Sequence, residues 1–395
     1  MTDAPEDGHR DGTQPDEAVP EDELAGDEGA VARGLKTSGL IVLALVIVGA
    51  ALFFILGGED EAPPVTETEV GPIEQRERAE QAPPLPFHDV AAASGLDFVH
   101  TSGARDDKLL PETMGSGAAF LDIDGDGDPD LMLADGRTWP EDEDAGLAPS
   151  GGRPRLYLND GAGAFTEADE SWGLVGGLYG TGLAAADFDG DGDTDVYLTA
   201  VGANRLLRND GGRFTDVTAA AGVAGPDDAW SSSAGFFDAD RDGDLDLFVC
   251  QYVRWSREID FALDYQLVGV GRAYGPPTNY EGAHPILFRN DGDGTFTDVS
   301  EAAGIRRTNP ATGVPVGKGL GLAFADLELD GDVDVLVAND TVANFAFRNL
   351  GDGTFEEIGA SSGLAYDAGG NATGAMGIDV ADYRNEGVVA IGDRT

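Results

Sequence analysis

In "DFDGDGDTDVYL" (Asp187–Leu198) five carboxylates occupy alternate residues of a nine-residue run that leads straight into an apolar, β-branched stretch, and the pattern recurs along the chain. Copies begin at Asp122 ("DIDGDGDPDLML"), Asp187, Asp238 ("DADRDGDLDLFV") and Asp326 ("DLELDGDVDVLV"), and a decayed fifth, "DYRNEGVVAIG", begins at Asp382. Each copy of such a repeat is one supersecondary unit, so the repeat constrains the fold before any single element does. A second unit alternates with the first: "LYLNDGAGAF", "LLRNDGGRF", "LFRNDGDGTF" and "AFRNLGDGTF" each give an apolar run, an Asn with a Gly-rich turn, and an aromatic. That is the pattern of a β-hairpin. The acidic unit reads as a hairpin too, because small and apolar residues ("GAAFL") lead into it and alternating apolar residues such as Leu131 and Leu133 lead out.

Two hairpins per repeat make four strands. Blades of a β-propeller, ~40–50 residues each with loop insertions, suit acidic loops starting at 122, 187, 238, 326 and 382. A β-sandwich does not need such uniform copies, and the short tandem repeats of a parallel β-helix are closer-set than these. The expected fold is all-β: an incomplete or open propeller ring of four blades and a partial fifth, over residues 87–395.

Carboxylates at loop positions 1, 3 and 5 with Gly at 6 for a sharp turn make a cage of hard oxygen ligands, and calcium is the cation that fits. The candidate ligands are Asp122, Asp124, Asp126, Asp128 and Asp130; Asp187, Asp189, Asp191, Asp193 and Asp195; Asp238, Asp240, Asp242, Asp244 and Asp246; and Asp326, Glu328, Asp330, Asp332 and Asp334. About four calcium sites are expected, with position 7 (Asp193 in the second loop) contributing its backbone carbonyl. An EF-hand needs a bidentate Glu at position 12, where these loops have Leu133, Leu198, Val249 and Val337. Magnesium demands stricter octahedral geometry, and zinc prefers nitrogen and sulfur ligands. A solvated acidic turn explains one such loop but not four of the same spacing. Glu328 at position 3 makes the fourth loop weaker, and Arg384, Glu386 and Ala390 at positions 3, 5 and 9 leave the fifth without a site.

With 74 Asp and Glu against 24 Lys and Arg, the chain carries a formal charge of −50 and repels nucleic acid and anionic membrane surfaces. Residues 1–36 read as a disordered acidic tail. Residues 37–58 contain "LIVLALVIVGAALFFILGG", an uncharged run long enough for the ~30 Å hydrocarbon core. Arg33 and Lys36 precede it and Glu59, Asp60 and Glu61 follow, which places the N-terminus in the cytoplasm and the remainder outside. The alternative, a cleaved signal, has a shorter apolar core and a small-x-small cleavage site. The Pro- and Glu-rich residues 59–86 read as a stalk. The single cysteine, Cys250, follows "DLDLFV" and reads as a buried small hydrophobe.

The "DxDxDGxxDL" loops and "NxGxGxF" hairpins resemble the FG-GAP or VCBS repeats of integrin-type propellers, in which such loops bind calcium. More narrowly, "KLLPETMGSGAAFLDIDGDGDPDL", "YVRWSREID", "YGPPTNYEGAHPILFRNDGDGTFTDVSEAAGI" and "MGIDVADYRNEG" are similar to bacterial relatives in the cartilage acidic protein (ASPIC/UnbV) family. The resemblance implies a cysteine pair in the insertion at 251–285, where this chain has Ala262 and Ala273. It also implies further blades and a C-terminal ASPIC/UnbV segment beyond "VVAIGDRT". Ring closure in a full propeller pairs strands from both termini, and "PFHDVAAASGL" (Pro86–Leu96), a copy of the "FTDVTAAAGV" repeat tail, is the expected N-terminal contribution.

Two function classes follow. The first is a membrane-anchored, extracytoplasmic scaffold, periplasmic or on the cell surface, that binds a protein or glycan and no nucleic acid. The second is an extracytoplasmic, glycosidase-like hydrolase using acidic residues on the propeller face. His9, His88, His100 and His284 lie in no nucleophile, zinc or nucleotide motif, so the chain reads as a non-enzyme with no catalytic residue assigned. Residues 251–285 combine Tyr252, Trp255, Phe261, Tyr265, Tyr274 and Tyr280 with Arg254, Arg257 and Arg272, the mixture enriched at binding hot spots, and are the expected docking segment.

Overall fold

Each complete acidic motif forms the turn of an antiparallel hairpin in the computed structural model, which describes residues 87–144, 146–382, 385 and 390–394. The expected tail, membrane span and stalk lie outside these residues. Among the described residues no helix is long and apolar enough to cross a membrane.

The first sheet comprises β1 (Ala118–Leu121), β2 (Asp130–Leu133), β3 (Arg155–Asn159) and β4 (Phe165–Glu167) in that order. The second repeats it with β5 (Tyr179–Ala186), β6 (Asp195–Val201), β7 (Arg205–Asn209) and β8 (Phe214–Asp216). In the third, β9 (Ser231–Phe237) and β10 (Asp246–Gln251) are separated from β13 (Ile286–Asn290) and β14 (Phe296–Asp298) by the insertion, which carries a small hairpin of β11 (Gln266–Leu267) and β12 (Gly271–Arg272). The fourth is β15 (Gly319–Ala325), β16 (Asp334–Asn339), β17 (Phe345–Asn349) and β18 (Phe355–Glu357), and β19 (Gly377–Ala381) pairs with β20 (Ala390–Arg394) in a two-stranded fifth.

Successive sheets meet through their first strands: β1 against β5, β5 against β9, β9 against β15, and β15 against β19. The approach is so close that a Cβ added at Gly117 would lie 2.8 Å from the Cα of Gly182, and one at Gly321 would lie 2.9 Å from the Cα of Gly377. Small residues in "GAAFL" and "GLGLAFA" are therefore a packing requirement. The second strands are buried on both faces and read as continuous apolar runs. Leu198 of β6 packs toward the first sheet with Leu121 and Met132, whereas Tyr197 packs toward the third with Leu247 and Phe288. A matching core joins Phe248 and Cys250 of the third sheet to Val335 and Phe347 of the fourth. Cys250 is fully buried, and desolvation pushes its thiol up to about 12, so it is an inert core residue.

The architecture is thus all-β and propeller-like, with no strand pairing between the fifth sheet and the first among the described residues. The expected strand at Pro86–Leu96 is corrected: the described part, from Phe87, is coil and turn. Its Ser94 carbonyl accepts the Phe165 N–H at 2.7 Å, as the Ala303 carbonyl accepts that of Phe355 at 2.8 Å, so this segment docks on the first sheet as a repeat tail docks on the next sheet.

The insertion buries half of its six aromatics. Tyr252, Trp255 and Tyr280 are buried with Leu109, Leu110, Trp139, Tyr179 and Trp230, at the ends of the sheets remote from the acidic loops. Arg257 pairs with Asp107 and Asp142, and Arg272 with Asp260, so the expected docking segment is corrected at these five residues, which tie the insertion to the first sheet's approach segment. Arg254 and Phe261 remain exposed.

Candidate metal centres

In each acidic loop the residue just before position 1 pairs across the hairpin with position 9: Leu121 with Asp130, Ala186 with Asp195, Phe237 with Asp246, and Ala325 with Asp334. Position 9 therefore opens the outgoing strand, inside the protein. Position 1 closes the loop, its carboxylate accepting the position-6 glycine N–H from Gly127, Gly192, Gly243 and Gly331 at 2.9–3.2 Å. Gly192 has φ +97°, a left-handed conformation costly for other residues. Position 5 accepts the position-7 N–H at 2.9 Å in all four loops.

This folding gathers positions 1, 3 and 9. Carboxylate oxygens of Asp122, Asp124 and Asp130 lie within 4.8 Å of one another, as do those of Asp187, Asp189 and Asp195, and those of Asp238, Asp240 and Asp246. Asp126, Asp191 and Asp242 sit at the loop tip beside these groups. The side chains of Asp128, Asp193, Asp244 and Asp332 turn toward the next hairpin, where Asp193 accepts the Gly211 N–H at 2.7 Å. The fourth loop, with Asp326, Glu328, Asp330 and Asp334, does not form the same group.

Three oxygen-donor triads can each hold a divalent cation, and the third shows the fit most directly: Asp238 Oδ1 is buried with no hydrogen-bond partner. An orphaned buried carboxylate oxygen is costly unless something positive meets it. Desolvation also raises the position-9 carboxyls, Asp195 to about 7 and Asp246 and Asp334 to about 6, against backbone hydrogen bonds that lower them. Asp189 and Asp240 are raised by burial and then by the like charges of Asp191 and Asp242.

Position 9 does more than face the triad. Asp195 accepts the Phe188 N–H on Oδ2 and the Asn209 N–H on Oδ1, at 3.1 and 2.8 Å, and Asp130, Asp246 and Asp334 repeat the arrangement. Each oxygen keeps a lone pair for a cation. From the sequence, position 9 reads as a ligand only, and the Asn of the second hairpin as a turn residue only. In the structure that Asn side chain reaches the preceding sheet: Asn209 Nδ2 donates to the Ile123 carbonyl, Asn290 to Phe188, and Asn349 to Ala239, each at 2.9 Å. The signal was present as the invariant Asn of "LNDG", "RNDG" and "RNLG". Replacing Asn290 with Asp turns a donor into a carboxylate facing the Phe188 and Leu245 carbonyls. We expect a loss of about 2–3 kcal/mol in urea unfolding, against about 1–2 kcal/mol for Asn290→Ala.

The FG-GAP-like repeat family matches residues 122–198, 188–249 and 326–391. Cartilage acidic protein 1 of Xenopus tropicalis is 23% identical over 297 residues, covering 71% of this chain and 40% of that protein. The Homo sapiens protein of the same name is 24% identical over 299 residues, covering 71% and 39%. The chain thus spans about 40% of the length of the curated relatives it matches. A solved Agrocybe aegerita lectin, titled for specific recognition of non-reducing terminal N-acetylglucosamine, is 17% identical with a TM-score of 0.38, over 70% of this chain and 61% of that one. The four acidic loops and the Asn hairpins of the first, second and fourth sheets lie within the residues that match FG-GAP-like repeats, in a chain that is similar to cartilage acidic protein 1.

Proposed function

We propose that the chain is a calcium-binding, non-catalytic scaffold, anchored in a membrane by residues 37–58 and carrying its propeller-like unit outside the cytoplasm, where it binds a protein or glycan. The observation that carries the calcium reading is the triad of positions 1, 3 and 9 in three loops, one with a buried, unpartnered Asp238 oxygen. A calcium ion bound there supplies a hard dication that offsets the mutual repulsion of the carboxylates. The chain's own residues do the rest. Position 1 holds the loop closed through the glycine N–H, and position 9 ties the loop to the following hairpin. The second-hairpin Asn then joins that hairpin to the preceding sheet, so loading a loop stiffens a joint between sheets.

The test is thermal unfolding of the chain in about 2 mM calcium and in chelator. With a Kd on the order of 0.1–1 mM, each loaded loop adds roughly 0.7–1.8 kcal/mol, and three loaded loops raise the melting temperature by roughly 3–8 °C in total. The rise shrinks at pH 5.5, because a position-9 carboxyl raised to about 7 must lose its proton to ligate. Identical melting in calcium and chelator would sink the calcium reading. Anchoring is checked by fractionation, in which the chain should resist carbonate extraction and yield to detergent. Capture of a partner by the unit on beads, with and without calcium, tests the scaffold role, and turnover of generic glycosidase substrates would overturn it.

A further inference from the structure

The third and fourth loops depart from the first two at position 4. Gly125 and Gly190 hold that position with φ +74° and +71°, whereas Arg241 and Leu329 hold it with φ +64° and +59°. A left-handed backbone at Arg241 is unfavourable for a residue with a Cβ, and it has a use here. From it the side chain leaves its own loop and lies on the next one. Its Nε is 2.5 Å from Asp332 Oδ1, at position 7 of the fourth loop, and its Nη2 donates to the Asp330 carbonyl, at position 5, at 3.0 Å. The same nitrogen sits over Gly331, position 6, where an added Cβ would come within 3.1 Å of it. Asp332 is largely buried under this contact.

The carboxylates of the fourth loop are arranged to match. Asp326, Glu328 and Asp334 do not make the close triad of the other three loops among the described residues. The Glu328 carboxylate instead lies 3.7 Å from Arg348 Nη1. In the second loop Arg208 also approaches a position-3 carboxylate, but at 4.0 Å and with Asp210 as its nearer partner, and the triad there is intact. Among the described residues, only the fourth loop has a guanidinium from the neighbouring loop seated across positions 5 to 7.

We propose that Arg241 is the resident counter-ion of the fourth loop, so that the chain takes up three calcium ions and the joint between the third and fourth sheets needs none. The count rests on the calcium reading above. A tethered guanidinium offsets one of the loop's negative charges at any calcium concentration, and a dication entering the same loop meets a like charge anchored on its position-5 carbonyl and position-7 carboxylate. Falling calcium therefore loosens the first three loops and leaves the fourth closed.

Native mass spectrometry of the full chain in about 2 mM calcium tests this, with urea unfolding to confirm that each variant is folded. Wild type should carry three equivalents. Asp326→Asn, which keeps Arg241 in place, should also carry three. Arg241→Gln should gain one, and Arg241→Gln with Asp326→Asn should lose it again. Loss of one equivalent in Asp326→Asn alone would show the fourth loop loaded beside Arg241 and overturn the inference. So would an Arg241→Gln protein with no gain, or a gain that appears only when Glu328→Asp is added. The gain over wild type reads the role of Arg241, whereas a wild type with no calcium at all overturns the calcium reading instead.

Discussion

Asp195→Ala is expected to cost about 3–5 kcal/mol in calcium at neutral pH, several times more than Asp189→Ala, although both residues belong to one triad. Asp189 lies in the loop rather than in a strand, and its removal forfeits only that loop's ion, roughly 0.7–1.8 kcal/mol. Asp195 is fully buried, and its removal also strands the Phe188 and Asn209 N–H groups. In chelator the gap between the two variants persists, because both lose the same ion contribution, and Asp189→Ala becomes neutral or stabilising because a repelling charge is gone. The cost of Asp195→Ala in chelator depends on pH in a defined direction. Its carboxyl is raised from 3.8 to about 7 in the metal-free fold, chiefly by desolvation. The stability it contributes is complete below about 3.8 and is lost as pH rises through about 7. Wild type therefore weakens over that range while the alanine variant does not, and the gap between them narrows as pH rises. Urea unfolding of both variants at pH 5 and pH 8, with and without calcium, checks all four outcomes. A gap that widened with pH in chelator would show that burial of Asp195 is not what sets its behaviour.

Arg272→Ala is expected to cost about 3–5 kcal/mol whether or not calcium is present. Asp260 is 3% exposed and accepts the Leu110 N–H at 2.9 Å and the Trp255 indole N–H at 2.8 Å on Oδ2, leaving Oδ1 to Arg272 Nη2 at 2.7 Å. The guanidinium also donates to the Asp107 carbonyl and stacks over Phe261 with 4.8 Å to the ring centroid. Truncation leaves a buried carboxylate without its cation, which is what makes breaking such a pair expensive. Adding Asp260→Asn to Arg272→Ala removes that charge and should recover about half of the loss, whereas Asp260→Asn alone is destabilising. Arg254→Ala, on the same insertion but 60% exposed, should change stability by less than about 0.5 kcal/mol. Equal losses for Arg254→Ala and Arg272→Ala would show that the buried Arg272–Asp260 pair does not anchor the insertion.

The hairpins, their order and the acidic loops were legible from the residues because each depends on neighbours a few positions away. Alternation with period two marks a strand, Gly with Asn or Asp marks its turn, and carboxylates at every second residue have to face a common centre. The position-9 aspartates were legible as acidic and not as clamps. Their N–H partners in the second hairpin lie 14 residues on for Asp195 and 44 for Asp246, a spacing set by insertions that no local pattern encodes. The Asn side chains bond carbonyls 86 to 110 residues back, across a boundary between sheets that exists only once both have folded. Composition alone likewise made the insertion's arginines and aromatics resemble an exposed recognition surface. Tertiary structure decided otherwise: apolar groups at the ends of the first three sheets needed a cover, and Asp260 and Asp107, more than 100 residues apart, supply carboxylates that draw Arg257 and Arg272 inward. What the sequence by itself determined was therefore the repeating unit and its charge. Which carboxylates gather into a triad, which meet an amide, and which meet a guanidinium from the preceding loop was decided by the packing of one sheet on another, because those partners are brought together by register and not by spacing.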